Sequence, residues 1–191
     1  MAAFSHETDG GGTSGTGNRT LTVTSAVSGS LMVVGVFATV NNNTTPTMTD
    51  DHADGLGTYT LVAAQQCTLS ASVATLSVFV RNSLLGSTDT SFIITAATGT
   101  NNAAVIGAIE VTGMTKVGAA AIRSKGGQTN GTASTAPAPA LNQNALTGNM
   151  TMTFVGSATT STPNASWTER TEASQATPTT DLEIGMTIPR W

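Results

Sequence analysis

Charge is the scarcest property of this chain. Only 9% of its 191 residues are Asp, Glu, Lys or Arg, against about 25% in an ordinary soluble domain. Seven Lys and Arg stand against eleven Asp and Glu, a formal net charge of −4. A basic nucleic-acid binder is excluded, because neutralising phosphates takes many cations. A helical bundle is excluded too, because Glu, Lys and Arg fill most solvent-facing helix positions. Aromatic residues make up 4% and cysteine occurs once, so no disulfide can form within the chain. Cys67 lies among strand-like residues and reads as a small half-buried core residue. A catalytic thiol would need a histidine, and His6 and His52 are the only two. No long hydrophobic run is present. The longest, Leu31 to Val40, is about half a membrane span and is broken by Gly35 and Thr39. The opening residues show neither a basic nor an apolar leader region, so synthesis in the cytoplasm without membrane insertion is expected. Triplets such as Asn18-Arg19-Thr20, Asn43-Thr44-Thr45 and Asn164-Ala165-Ser166 are what chance gives in a Thr-rich chain, and none is read as a glycosylation site.

What fills the chain is Thr, Ser, Asn and Gly around short apolar segments. Residues 1–18 form a glycine-rich arm, expected to be disordered when alone in water. In Arg19 to Val27, Leu21, Val23 and Ser25 alternate with Thr, the period-2 pattern of a half-buried strand. Ser28-Gly29 marks a turn. Ser30 to Val40 is nearly continuous in apolar and β-branched residues, which predicts a strand central in a sheet. Residues 41–57 read as a loop. Strands are predicted over 58–63, 73–81, 89–95, 103–112, 145–156 and 181–188, with a low-complexity loop at 124–144. About eight short strands separated by Gly, Asn and Pro turns imply one all-β antiparallel sandwich over residues 19–191. Long crossover loops fit a jelly roll better than a meander.

Few residues suggest chemistry. Asp50-Asp51-His52-Ala53-Asp54-Gly55 gathers oxygens that could hold Ca²⁺, with Asp50, Asp51 and Asp54 as the weak ligand candidates. The spacing is not that of an EF-hand, and no glutamate closes a twelve-residue loop, so a polar turn before the strand at Thr58 is the plainer reading. No nucleophile motif accompanies His52. Glu110, Glu169, Glu172, Asp181 and Glu183 qualify as glycosidase carboxylates by type alone. The glycine-rich arm lacks Gly-Lys-Ser/Thr and opens no helix, so it is no phosphate cradle. No catalytic residue, metal or other cofactor is expected. Lys116, Arg123 and Lys125 form a thin basic cluster that could meet an acidic protein surface.

The succession Ser28-Gly-Ser-Leu-Met-Val-Val-Gly-Val36, Gly57-Thr-Tyr-Thr-Leu-Val-Ala63, Ala74-Thr-Leu-Ser-Val-Phe-Val80, Ala104-Val-Ile-Gly-Ala-Ile-Glu-Val-Thr-Gly113, Met150-Thr-Met-Thr-Phe-Val-Gly156 and Ser166-Trp-Thr-Glu-Arg-Thr-Glu172 resembles β-sandwich virion proteins and tail-associated modules of tailed bacteriophages. The likeness spans residues 19 to 188. It implies a structural component, not an enzyme. Chain length favours a capsid decoration (cement) protein on the outer surface of the major capsid protein lattice, as a homotrimer. The alternative is a tail-fibre or tail-tip module that binds a receptor or glycan, with Trp167 and Tyr59 lining a groove. Phe4, Arg19, Arg123, Lys125 and Trp191 are the expected partner contacts. Neither nucleic acid nor membrane is an expected partner.

Overall fold

The computed structural model describes residues 3–10, 18–39, 45–69, 72–87, 89–98, 103–127, 151–157, 168–176 and 179–187. Among them are eleven strands and one short 3-10 turn. The strands are β1 (Ala3–Gly10), β2 (Asn18–Val23), β3 (Leu31–Thr39), β4 (Thr47–Asp50), β5 (Tyr59–Leu69), β6 (Ser72–Arg81), β7 (Phe92–Ala97), β8 (Ala103–Thr112), β9 (Thr151–Ser157), β10 (Thr168–Ala176) and β11 (Thr179–Thr187). The 3-10 turn covers Gly118–Ala121. Every ladder is antiparallel.

A central sheet has the order β1-β8-β3-β6-β5, and two three-stranded sheets have the orders β2-β7-β4 and β10-β11-β9. An isolated bridge between Thr49 and Thr58 sets the entry to β5 beside β4. The first eight strands therefore form the two four-stranded sets of a jelly roll, 1-8-3-6 and 2-7-4-5. Strand β5 belongs to both. It starts against β4 and then runs along β6. Its register shifts between Leu61 and Ala63, a bulge that lets a strand bend from one sheet toward another. The Val62 carbonyl at this bulge accepts a hydrogen bond from Lys125 Nζ at 2.7 Å.

Residues 31–38 of β3 are all buried, because both faces of the central sheet are covered. Met32, Val34 and Val36 share one core with Leu21, Val23, Met48, Phe92 and Ile94 of the β2-β7-β4 sheet. Leu31, Val33 and Phe37 share a second core with Val105, Ile109 and Val111, onto which Met152 and Phe154 of β9 pack. A half-solvated strand alternates apolar and polar residues, whereas one buried on both faces reads as a continuous apolar run. Each such side chain contributes about 1.5–3 kcal/mol on burial. At Gly156 of β9 the backbone lies so close to the Phe37 ring that a Cβ there would overlap it.

The expected turn at Ser28-Gly29 is present, with Gly29 at φ +81°, a conformation open to glycine at little cost. Three expectations are corrected. Residues 3–10 of the glycine-rich arm form β1, paired along β8 from Ala3–Thr112 to Gly10–Ile106. An open sheet edge supplies the hydrogen bonds that offset ordering, and local composition does not carry that information. Second, the loop expected over 41–57 contains β4. Third, β5 runs on to Leu69, beyond the expected 58–63, and β10 (Thr168–Ala176) forms where no strand was expected. Of the low-complexity loop, residues 128–144 lie outside the described residues, as do Trp167 and Trp191.

Candidate functional site

The acidic stretch at 50–55 turns the chain from β4 into β5, and its sequence builds the turn locally. Asp50 Oδ1 accepts the His52 N–H at 3.2 Å, and Asp54 Oδ1 accepts the Leu56 N–H at 2.9 Å. These are two successive Asx turns. The Asp50 N–H donates to the Gly57 carbonyl at 3.1 Å, and the chain passes so close that a Cβ on Gly57 would collide with Asp50.

The turn closes around Arg81, the last residue of β6, whose side chain is fully buried. Arg81 Nε donates to Asp50 Oδ2 at 2.8 Å, and Nη2 donates to Asp54 Oδ1 at 2.6 Å. Nη1 donates to Asp54 Oδ2 at 3.0 Å, to Ser83 Oγ at 2.7 Å and to the Leu84 carbonyl at 3.2 Å. Tyr59 Oη donates to Asp50 Oδ2 at 2.7 Å. Asp54 Oδ2 also accepts the Gly86 N–H at 3.2 Å. One guanidinium thus joins two carboxylates, a serine and the 83–86 turn. Planar two-point pairing of this kind is particular to arginine.

Burial on its own raises the Asp54 carboxyl. The hydrogen bond and charge of Arg81, with the N–H groups of Leu56 and Gly86, more than offset this and hold it well below the usual carboxylate range. Burial pushes the Tyr59 phenol well above its ordinary value, and the adjoining Asp50 charge adds to the effect. Tyr59 is the sole tyrosine, so tyrosinate absorbance reports this site alone. The native protein should show no phenolate as pH rises through about 10, the value for a free tyrosine. The unfolded chain ionises there, so stability falls as pH rises further. Native-state titration near pH 10 would mean that the hydroxyl is not bound in the cluster.

His52 is buried, its Nδ1 3.1 Å from Asp54 Oδ2 and its ring edge-on to Phe92 with centroids 5.1 Å apart. Asp51 Oδ1 accepts the Ile93 N–H at 2.6 Å, and Asp89 Oδ2 accepts the Ala53 N–H at 2.9 Å. The first bond fastens the turn to β7 and the second fastens it to the segment just before β7. The three ligand candidates therefore do not converge on a cation site. Asp50 and Asp54 enclose Arg81, and Asp51 ties a neighbouring strand. Among the described residues no group of three His, Cys, Asp or Glu is placed to hold a metal.

A second buried polar cluster lies at the start of β3. Glu110, fully buried, accepts the Val27 N–H at 2.6 Å and the Ser30 hydroxyl. Ser30 Oγ also lies 2.7 Å from the Val27 carbonyl. The one glycosidase-type carboxylate whose side chain is described thus fixes a turn inside the fold. The side chains of Glu169, Glu172, Asp181, Glu183 and Cys67 lie outside the described residues.

The expected partner contacts scatter. Phe4 pairs with Val111 through the β1 backbone. Arg19 is 6% exposed and lies on the buried face of β2 with Leu21 and Val23. Tyr59, proposed for a groove, is packed against the first core with its hydroxyl spent on Asp50. Arg123 and Lys125 are exposed. The sequence reading missed Arg81. Its signal was a lone Arg ending an apolar strand, Val78-Phe79-Val80-Arg81, opposite a tight group of Asp residues.

No protein-family model matches the chain, and no curated protein or solved structure matches it. What fold and site define is a jelly-roll domain whose buried ionic cluster locks its own corner.

Proposed function

We propose that this chain is a structural building block, a capsid decoration protein of a tailed bacteriophage that binds the outside of the major capsid protein lattice. The observation that carries this reading is where the reactive side chains go. Asp50, Asp54, Arg81, His52 and Glu110 are drawn into internal locks. The outer face of the β2-β7-β4 sheet instead presents Thr20, Thr22, Thr47, Thr49 and Ile93 to solvent. Short β-branched side chains lose little rotamer freedom on burial and carry no charge to desolvate. Such a surface suits dense packing in a lattice better than turnover of a substrate. Jelly rolls serve both shells and lectins. The glycan-binding alternative loses Tyr59 as a stacking platform, because its ring packs against the first core.

The mechanism is linkage. A protein that binds only the assembled shell raises the free energy of disassembly by an amount set by its concentration and affinity. Purified chain added to shells made of the major capsid protein of the same phage should co-sediment, saturate at a fixed ratio and raise the shell's melting temperature. No sedimentation with shells, together with retention on a glycan surface, would reverse the assignment.

A further inference from the structure

The few described cations divide sharply. Arg19 and Arg81 are buried in the sandwich. Lys116, Arg123 and Lys125 are exposed. All three lie on one strap, residues 113–127, which follows β8 and contains no Asp or Glu. The strap is firmly mounted. Met114, Val117, Ala121 and Ile122 pack on the second core, and Lys125 holds the Val62 carbonyl. Lys116 and Arg123 make no hydrogen bond or ion pair with any described residue. A chain with net charge −4 therefore presents a preorganised patch of opposite sign.

Among the described residues, the acidic surface that matches it is the chain's own. Asp51 and Asp89 flank the turn into β5, on the other side of the central sheet, beside the first core. Asp51 is exposed and Asp89 half-buried. Each gives one carboxylate oxygen to a backbone N–H, which holds the other in place without a partner. No described cation other than the buried Arg81 stands in this corner.

We infer that the Lys116–Arg123 strap of one copy docks on the Asp51–Asp89 corner of a second copy. The inference rests on the reading of the chain as a capsid decoration protein that assembles as a homotrimer, and names the surfaces. The two patches differ and lie on opposite sides of the central sheet, so the contact is heterologous. Contacts of that kind generate closed rings, such as a trimer, or open arrays. Complementary charge sets the register of such a contact and steers the encounter.

The test is sedimentation velocity of the full chain over a concentration series, at low and high salt. Wild type should associate at low salt and weaken markedly at high salt, where exposed charges are screened. Lys116→Glu with Arg123→Glu should weaken association at least about tenfold. Asp51→Lys with Asp89→Lys should do the same, and all four together should restore it. Asp51→Asn with Asp89→Asn keeps the backbone acceptors and should weaken association without touching the fold, as checked by thermal melting. Association that persists unchanged in the strap variant overturns the inference and leaves self-association standing. A chain that stays monomeric at low salt overturns both. If that monomer binds shells and loses binding in the strap variant, the strap belongs to a foreign acidic protein and the inference fails.

Discussion

Replacing Arg81 with Met should cost about 3–5 kcal/mol of folding stability, the range for removing one partner of a buried ion pair. The methionine fills much of the space but leaves Asp50 and Asp54 facing each other without a cation. The Asp50 side chain is fully buried and that of Asp54 only 12% exposed. The damage should be local in origin and global in effect. The same guanidinium ties the turn before β5, the end of β6 and the 83–86 turn, and so holds the corner at which β5 passes between sheets. The pH dependence gives a second check. Arg81 keeps the Asp54 carboxyl depressed. Its contribution is therefore complete above the unfolded carboxylate value of about 4 and is lost as pH falls below it toward the native value. In the variant, burial acts on Asp54 without that compensation, so the deficit relative to wild type should shrink in acid. Denaturant unfolding at neutral pH and in acid measures both. An Arg81→Met protein within about 1 kcal/mol of wild type, with an unchanged acid profile, would show that the cluster is a surface decoration.

Gly156→Val should be nearly as damaging, by a different route. The absent Cβ at this position is what lets β9 lie on the Phe37 ring. Phe37 is 1% exposed and has Val105 and Leu76 beside it on the neighbouring strands of the same core, so the ring has little empty space to enter. Overpacking of this kind costs about 1–3 kcal/mol, occasionally more. The sheet should lift rather than the jelly roll unfold, because β9, β10 and β11 pair only with one another. Hydrogen exchange should show faster amides in β9–β11, with β7 and β2 unchanged. Wild-type exchange throughout would place the third sheet elsewhere.

These two residues also mark what the sequence could and could not disclose. The nearly continuous apolar run from Ser30 to Val40 announced a strand central in its sheet, and β3 lies there between β8 and β6; that both of its faces are covered is set by distant segments and shows only in the structure. The alternation at Leu21 and Val23 and the Ser28-Gly29 turn are short-range signals, legible because period and φ preference act within a few residues. Strand β1 was illegible because what orders it is an edge made by β8, roughly a hundred positions away in the chain. The acidic stretch was visible as a polar turn, but its partner was not. Arg81 lies 31 residues from Asp50 and 27 from Asp54, and only the crossing of β5 from sheet to sheet brings them together. Without Arg81, three aspartates suggest a cation site; with it, two of them have their cation already.

The most direct measurement is where the chain sits in an assembled particle. Cryo-electron microscopy of particles carrying it should show jelly-roll density on the outer surface of the shell, at symmetry axes between capsid subunits. Density confined to the tail, or particles whose shells are complete and equally stable without the chain, would contradict the decoration role.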